Sequence, residues 1–118
     1  MIGRLTVIGA AALSVSLGSS AGAQDAAKIE KGKQVYDAAT PKCKACHSIG
    51  GAGNTKGPLE GVGSRLKADE VKAWMRTPKE MTEKTKAARK PYMPAYPKEK
   101  MSDEDLEALT DYMLSLKK

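Results

Sequence analysis

The chain has 118 residues, a net charge of +6, no phenylalanine, one tryptophan and four tyrosines. That length sets a single domain, and so few large apolar side chains leave its core short of bulk. The modest positive charge does not mark a nucleic-acid binder; it suits steering toward an acidic partner.

Residues 1–23 read as a secretory signal peptide. Arg4 gives a short positive start, and Leu5 to Leu17 is an apolar run of 13 residues. Ala21-Gly22-Ala23 then fits the small-x-small cleavage pattern, with the cut before Gln24. The apolar run is too short for a comfortable membrane span of roughly 20 residues, so an uncleaved anchor is the lesser reading. Cleavage leaves 24–118 as one domain of 95 residues, with 19 basic and 14 acidic side chains and no membrane span. The expected destination is the periplasm or another exported compartment.

Asp25 to Ala39 is predicted to be a helix. Ile29, Gly32, Val35, Tyr36 and Ala39 recur at spacings of three and four, and Asp25 suits the N-cap. Gly32 costs about 1 kcal/mol against alanine inside a helix, which points to a close approach by another helix. Pro41 ends the segment.

Cys43-Lys44-Ala45-Cys46-His47 follows, and C-x-x-C-H is the attachment pattern of c-type haem. Each thiol adds across one porphyrin vinyl group, and the next residue places an imidazole under the iron. These are the chain's only cysteines and its only histidine. A structural zinc needs four ligands, and this motif offers three. A thioredoxin-like dithiol needs a βαβ context, and no strand-like alternation is visible. A plain disulfide would leave His47 unexplained. A haem also supplies the apolar bulk that the composition lacks.

Residues 48–64 contain six glycines and read as a loop, with Gly57-Pro58-Leu59 inside it. Asp69 to Met75 reads as a short helix carrying Val71, Trp74 and Met75, stopped by Thr77-Pro78. Residues 79–90 are lysine-rich and predict a solvated helical turn or two. Pro91 to Pro97 holds three prolines in seven residues and must be a stiff loop. The final helix has the clearest signals. Ser102 is its N-cap, with Asp105 at the capping-box position and Asp103 and Glu104 in the first turn. Leu106, Leu109, Met113 and Leu116 form its apolar stripe, with Tyr112 beside it.

In this order of features the chain resembles the class I cytochromes c. The resemblance rests on Gly32 and Tyr36 in an early helix, the Cys43, Cys46 and His47 motif, Gly57-Pro58, Trp74, Met93-Pro94 and a final helix with Tyr112. It implies an all-α fold of three to four helices around one covalently bound haem c. The first and last helices would cross, with Gly32 against Tyr112. It implies that the proline carbonyl of Pro58 accepts a hydrogen bond from His47 and that Trp74 packs on the haem. Arg65 is a candidate to neutralise a propionate.

Met93 is the expected sixth ligand. Its flanking prolines stiffen the loop, and the family resemblance points to the same residue. Among the rivals, Met75 and Met113 sit on helical faces, Met81 lies in the lysine-rich stretch as an exposed or partly packed residue, and Met101 precedes a cap. The implied metal ligands are thus His47 and Met93. Lys42, Lys44 and Lys56 would form a basic rim near an exposed haem edge.

The implied function is one-electron transfer by an exported, monomeric, monohaem carrier, not enzymatic turnover. Redox partners, acidic ones among them, would dock transiently. Two alternatives stay open: a haem subunit of a dehydrogenase or oxidase complex, and a haem sensor with a labile sixth ligand.

Overall fold

The computed structural model describes Gly9 and residues 21–118, with side chains from Asp25 onward. The expected signal peptide lies outside the described residues except for Gly9 and its last three positions. Those residues form five helices, a single 3-10 turn and one small hairpin. In chain order they are α1 (Ala21–Ala38), the turn Cys43–Ala45, β1 (Ser48–Ile49), β2 (Ala52–Gly53), α2 (Val62–Arg65), α3 (Ala68–Arg76), α4 (Pro78–Thr85) and α5 (Asp103–Ser115). None of the described helices is long and apolar enough to cross a membrane.

The dominant packing is α1 against α5. Gly32 makes it possible. A Cβ built there would lie 2.2 Å from the Ala108 carbonyl oxygen and 2.5 Å from Cβ of Tyr112. Only a hydrogen fits. The rings of Tyr36 and Tyr112 meet edge to face beside this contact, with centroids 6.1 Å apart at 79°. Aromatic pairs of this geometry contribute about 0.5–1.5 kcal/mol beyond area burial.

The apolar stripe of α5 faces inward as its period requires: Leu106, Leu109, Tyr112 and Met113 are buried. Thr110, also buried, donates from its hydroxyl to the Leu106 carbonyl at 2.7 Å, so its own hydroxyl is not stranded. Val71 and Met75 of α3 complete this core. The Ser102 hydroxyl accepts from the Asp105 amide at 3.1 Å, which caps α5. Gly63 donates to the Leu116 carbonyl at 2.9 Å and joins α2 to the end of α5.

Four local expectations change. Helix α1 starts at Ala21, so Asp25 lies inside it and does not cap it. The glycine-rich stretch is not purely loop: Gly50 and Gly51, at φ of 59° and 81°, turn β1 back onto β2. Two positive φ values in a two-residue turn match the right-handed twist of a hairpin. Pro78 both ends α3 and opens α4, where its missing N–H costs nothing. Met81 is buried, only 7 % exposed, because α4 lays it inward.

Candidate functional site

The Cys43–Ala45 turn winds tightly. The amides of Cys46 and His47 both donate to the Cys43 carbonyl, at 3.1 and 2.8 Å. Neither cysteine is in a disulfide. Asn54 clamps the turn from outside, its amide donating to the carbonyls of Lys44 and His47 at 3.0 Å each. Its side-chain nitrogen reaches the Ala45 carbonyl at 3.1 Å. The five-residue motif is thus held as a rigid unit.

His47 is half-buried, and its Nδ1 lies 3.1 Å from the Gly57 carbonyl. With Nδ1–H as donor, Nε2 carries the free lone pair. Burial holds the imidazole pKa below its ordinary value, the bond to Gly57 opposes this, and the nearby Arg89 adds to it. A neutral imidazole is the form that ligates metal. Burial pushes the Cys43 thiol pKa up, and the neighbouring Tyr96 hydroxyl opposes this.

The acceptor is therefore Gly57 and not Pro58. The reason is local. Ser48 pairs in parallel with Pro58, the Ser48 amide donating to Gly57 at 3.1 Å and the Leu59 amide to Ser48 at 2.9 Å. This register turns the Gly57 carbonyl toward the histidine. Pro58 is exposed and does not line the cavity described next.

A cavity of about 310 Å³ opens in front of the motif. Cys43, Cys46 and His47 line it together with Val71, Trp74 and Met75 of α3. Tyr36, Leu109 and Met113 line it from the α1/α5 core, and Met93 from the proline loop. Of the expected site residues, five meet here: Cys43, Cys46, His47, Trp74 and Met93. Arg65 does not; it is exposed and donates to the Glu60 carbonyl at 3.2 Å.

The family model for cytochrome c matches residues 29–117. The chain belongs to the cytochrome c family. A curated relative, cytochrome c oxidase subunit 2 of Alkalihalophilus pseudofirmus, is 34% identical over 96 residues. That match covers 74% of this chain and 25% of the relative, so the chain spans about a quarter of that protein's length. No solved structure matches the chain.

As a cytochrome c, the protein binds haem c covalently through the iron porphyrin's side groups. The residues present fit that group. Two free thiols, an imidazole and three thioethers (Met75, Met93 and Met113) line one apolar space together with Trp74. The donor set is soft and nitrogenous, as iron in haem requires.

Three residues of this cytochrome escaped the sequence reading. Arg89 lines the cavity beside Gly57, whose added Cβ would meet its guanidinium. Its position in a lysine-rich stretch gave no signal of this. Tyr96 is 3 % exposed, and its hydroxyl donates to the Pro41 carbonyl at 2.5 Å. Burial pushes its pKa up to about 12. Arg76, at the end of α3, reaches across to the proline loop. The basic rim is thinner than expected: Lys44 pairs with Asp37 at 3.1 Å, and Lys42 donates to the Asp37 carbonyl at 3.1 Å.

Proposed function

We propose that this cytochrome c is an exported, monohaem one-electron carrier in which His47 and Met93 would hold the haem iron. The observation that carries the reading is that both residues, 46 positions apart in sequence, line one cavity with the two cysteines. Bound haem c supplies the one-electron iron couple. The chain's own residues do the holding. Cys43 and Cys46 tether the group, and His47 presents Nε2 while Gly57 fixes its ring. Val71, Trp74, Leu109 and Met113 keep water from the site. A thioether supplied by Met93 would favour the reduced iron and raise the potential. Were His47 and Met93 both to hold the iron, a substrate would have no place on it, which is why an enzymatic role is not proposed. Export follows from residues 1–23 as a signal, with 24–118 as the working domain. Partners dock briefly, over an interface below about 1,200 Å².

The test is spectroscopic. The ferric protein is expected to show the weak far-red sulfur-to-iron band of methionine ligation. Met93→Ala is expected to abolish it and to let the ferrous form bind carbon monoxide. Its potential should fall by on the order of 100 mV, a fraction of the roughly 0.8 V that axial ligands span. A Met93→Ala variant that keeps the band while Met81→Ala or Met101→Ala loses it refutes the ligand assignment. A parent protein without the band that binds carbon monoxide readily favours the sensor reading.

The likeness to an oxidase subunit supports a second reading, a haem domain working inside a larger complex. Gel filtration of native extract separates the two: a free carrier elutes as a small monomer.

A further inference from the structure

The loop that carries Met93 leaves α4 at Ala87, whose amide donates to the Thr82 carbonyl at 3.1 Å, and has no backbone anchor again until Tyr96. Among the described residues, no backbone–backbone hydrogen bond outside the helices and strands involves residues 88–95. The first anchor comes at Tyr96, three residues beyond Met93. There the Tyr96 amide donates to the Met75 carbonyl at 2.8 Å, in the last turn of α3. The next residue of α3, Arg76, takes the other side. Its Nη1 donates to the carbonyls of Tyr96 and Met101, at 2.7 Å each. Its Nη2 donates to Asp103 at 2.8 Å, at the start of α5. The Arg76 side chain is only 20 % exposed, whereas Asp103 is 70 % exposed.

One guanidinium therefore bridges three segments: the end of α3, the exit of the Met93 loop and the first turn of α5. The planar fork suits this, since it offers several donors in fixed directions, which an ammonium does not. Hydrogen bonds from a charged donor are the stronger kind. The prolines at 91 and 94 stiffen the loop but do not attach it to anything. Attachment falls to Tyr96, and Tyr96 is gripped by Arg76.

We propose that Arg76 is a positioning residue that keeps the Met93 sulfur in the haem site by clasping the loop at Tyr96 and Met101. This rests on the reading of Met93 as the sixth ligand. The clasp works on an equilibrium between loop docked and loop released. An added ligand that competes with Met93 binds only the released form, so its apparent affinity scales with the fraction released.

The experiment is an imidazole titration of the ferric holoprotein, followed by its visible spectrum. Arg76→Gln is expected to tighten apparent imidazole binding on the order of tenfold, the scale of one charge-assisted hydrogen bond lost. Arg76→Lys, which keeps the charge but not the fork, should fall between parent and Arg76→Gln. Asp103→Asn removes only the exposed partner and should shift binding by about threefold or less. It carries the test, with Arg76→Lys, where Arg76→Gln does not fold. Leu106→Ala is the control. It opens a cavity in the core and lowers the melting temperature, yet should leave imidazole affinity at the parent value.

Imidazole binding equal to the parent's in the arginine variants overturns the clasp. So does a Leu106→Ala shift as large as theirs, because general destabilisation would then account for the effect. A parent lacking the far-red band overturns the ligand reading itself. A parent that has it, with Met93→Ala losing it, leaves that reading standing whatever Arg76 does.

Discussion

Gly32→Ala tests the contact on which the cavity floor rests. The added methyl carbon would sit 2.2 Å from the Ala108 carbonyl oxygen, 3.0 Å from its carbon and 2.5 Å from the Tyr112 Cβ. None of these atoms is the free end of a flexible side chain. Relief requires α1 and α5 to move apart. The intrinsic term favours the change, since alanine gains about 1 kcal/mol over glycine in a helix. Overpacking a tight contact costs about 1–3 kcal/mol, occasionally more. With backbone on the other side, the cost belongs at or above the top of that range. The net loss is then about 2 kcal/mol. For a domain of this size, that lowers the melting temperature by roughly 8–16 °C. Thermal unfolding of the ferric holoprotein by circular dichroism reads this directly. Gln34→Ala, on the exposed face of the same helix, is the control and should not lower the midpoint. A Gly32→Ala midpoint at or above the parent's would refute the reasoning, because helix propensity would then outweigh the clash.

Acid should loosen α5. Lys98 and then Arg76 hold the Asp103 carboxyl below its ordinary pKa, and Lys31 does the same for Glu104. A depressed folded pKa contributes stability above the ordinary carboxylate value of about 4, and that contribution is lost as pH falls through the folded value. Asp103→Asn should therefore flatten the fall of melting temperature below about pH 4; an unchanged acid limb would remove the ion pairs from the account. Docking should depend on salt. Association with an acidic partner is expected to slow between about 0.01 M and 0.1 M ionic strength, as the Debye length falls from about 30 to 10 Å. Charge reversal at Lys56 should slow it further, and stopped-flow rates indifferent to both would leave the lysines as solvated surface.

The sequence by itself determined what depends on neighbours along the chain. Cys43, Cys46 and His47 announce haem attachment because the chemistry needs them side by side. The cap at Ser102 and the stripe from Leu106 to Met113 are equally local, as is the stiffness of Pro91 to Pro97. Gly32 was legible for a related reason: a glycine inside a helical face is costly unless something passes close by.

Tertiary structure decided the rest, where long-range partners choose between equivalent groups. Gly57 and Pro58 each offer a carbonyl, and the parallel pairing of Ser48 decides which one faces His47. Met81 reads as a surface residue among lysines until α4 buries it. Arg76 and Arg89 look like solvated charges in sequence, because a charged side chain carries no periodic signal of its destination. Only the fold brings Arg76 to the carbonyls of Tyr96 and Met101, 20 and 25 residues away.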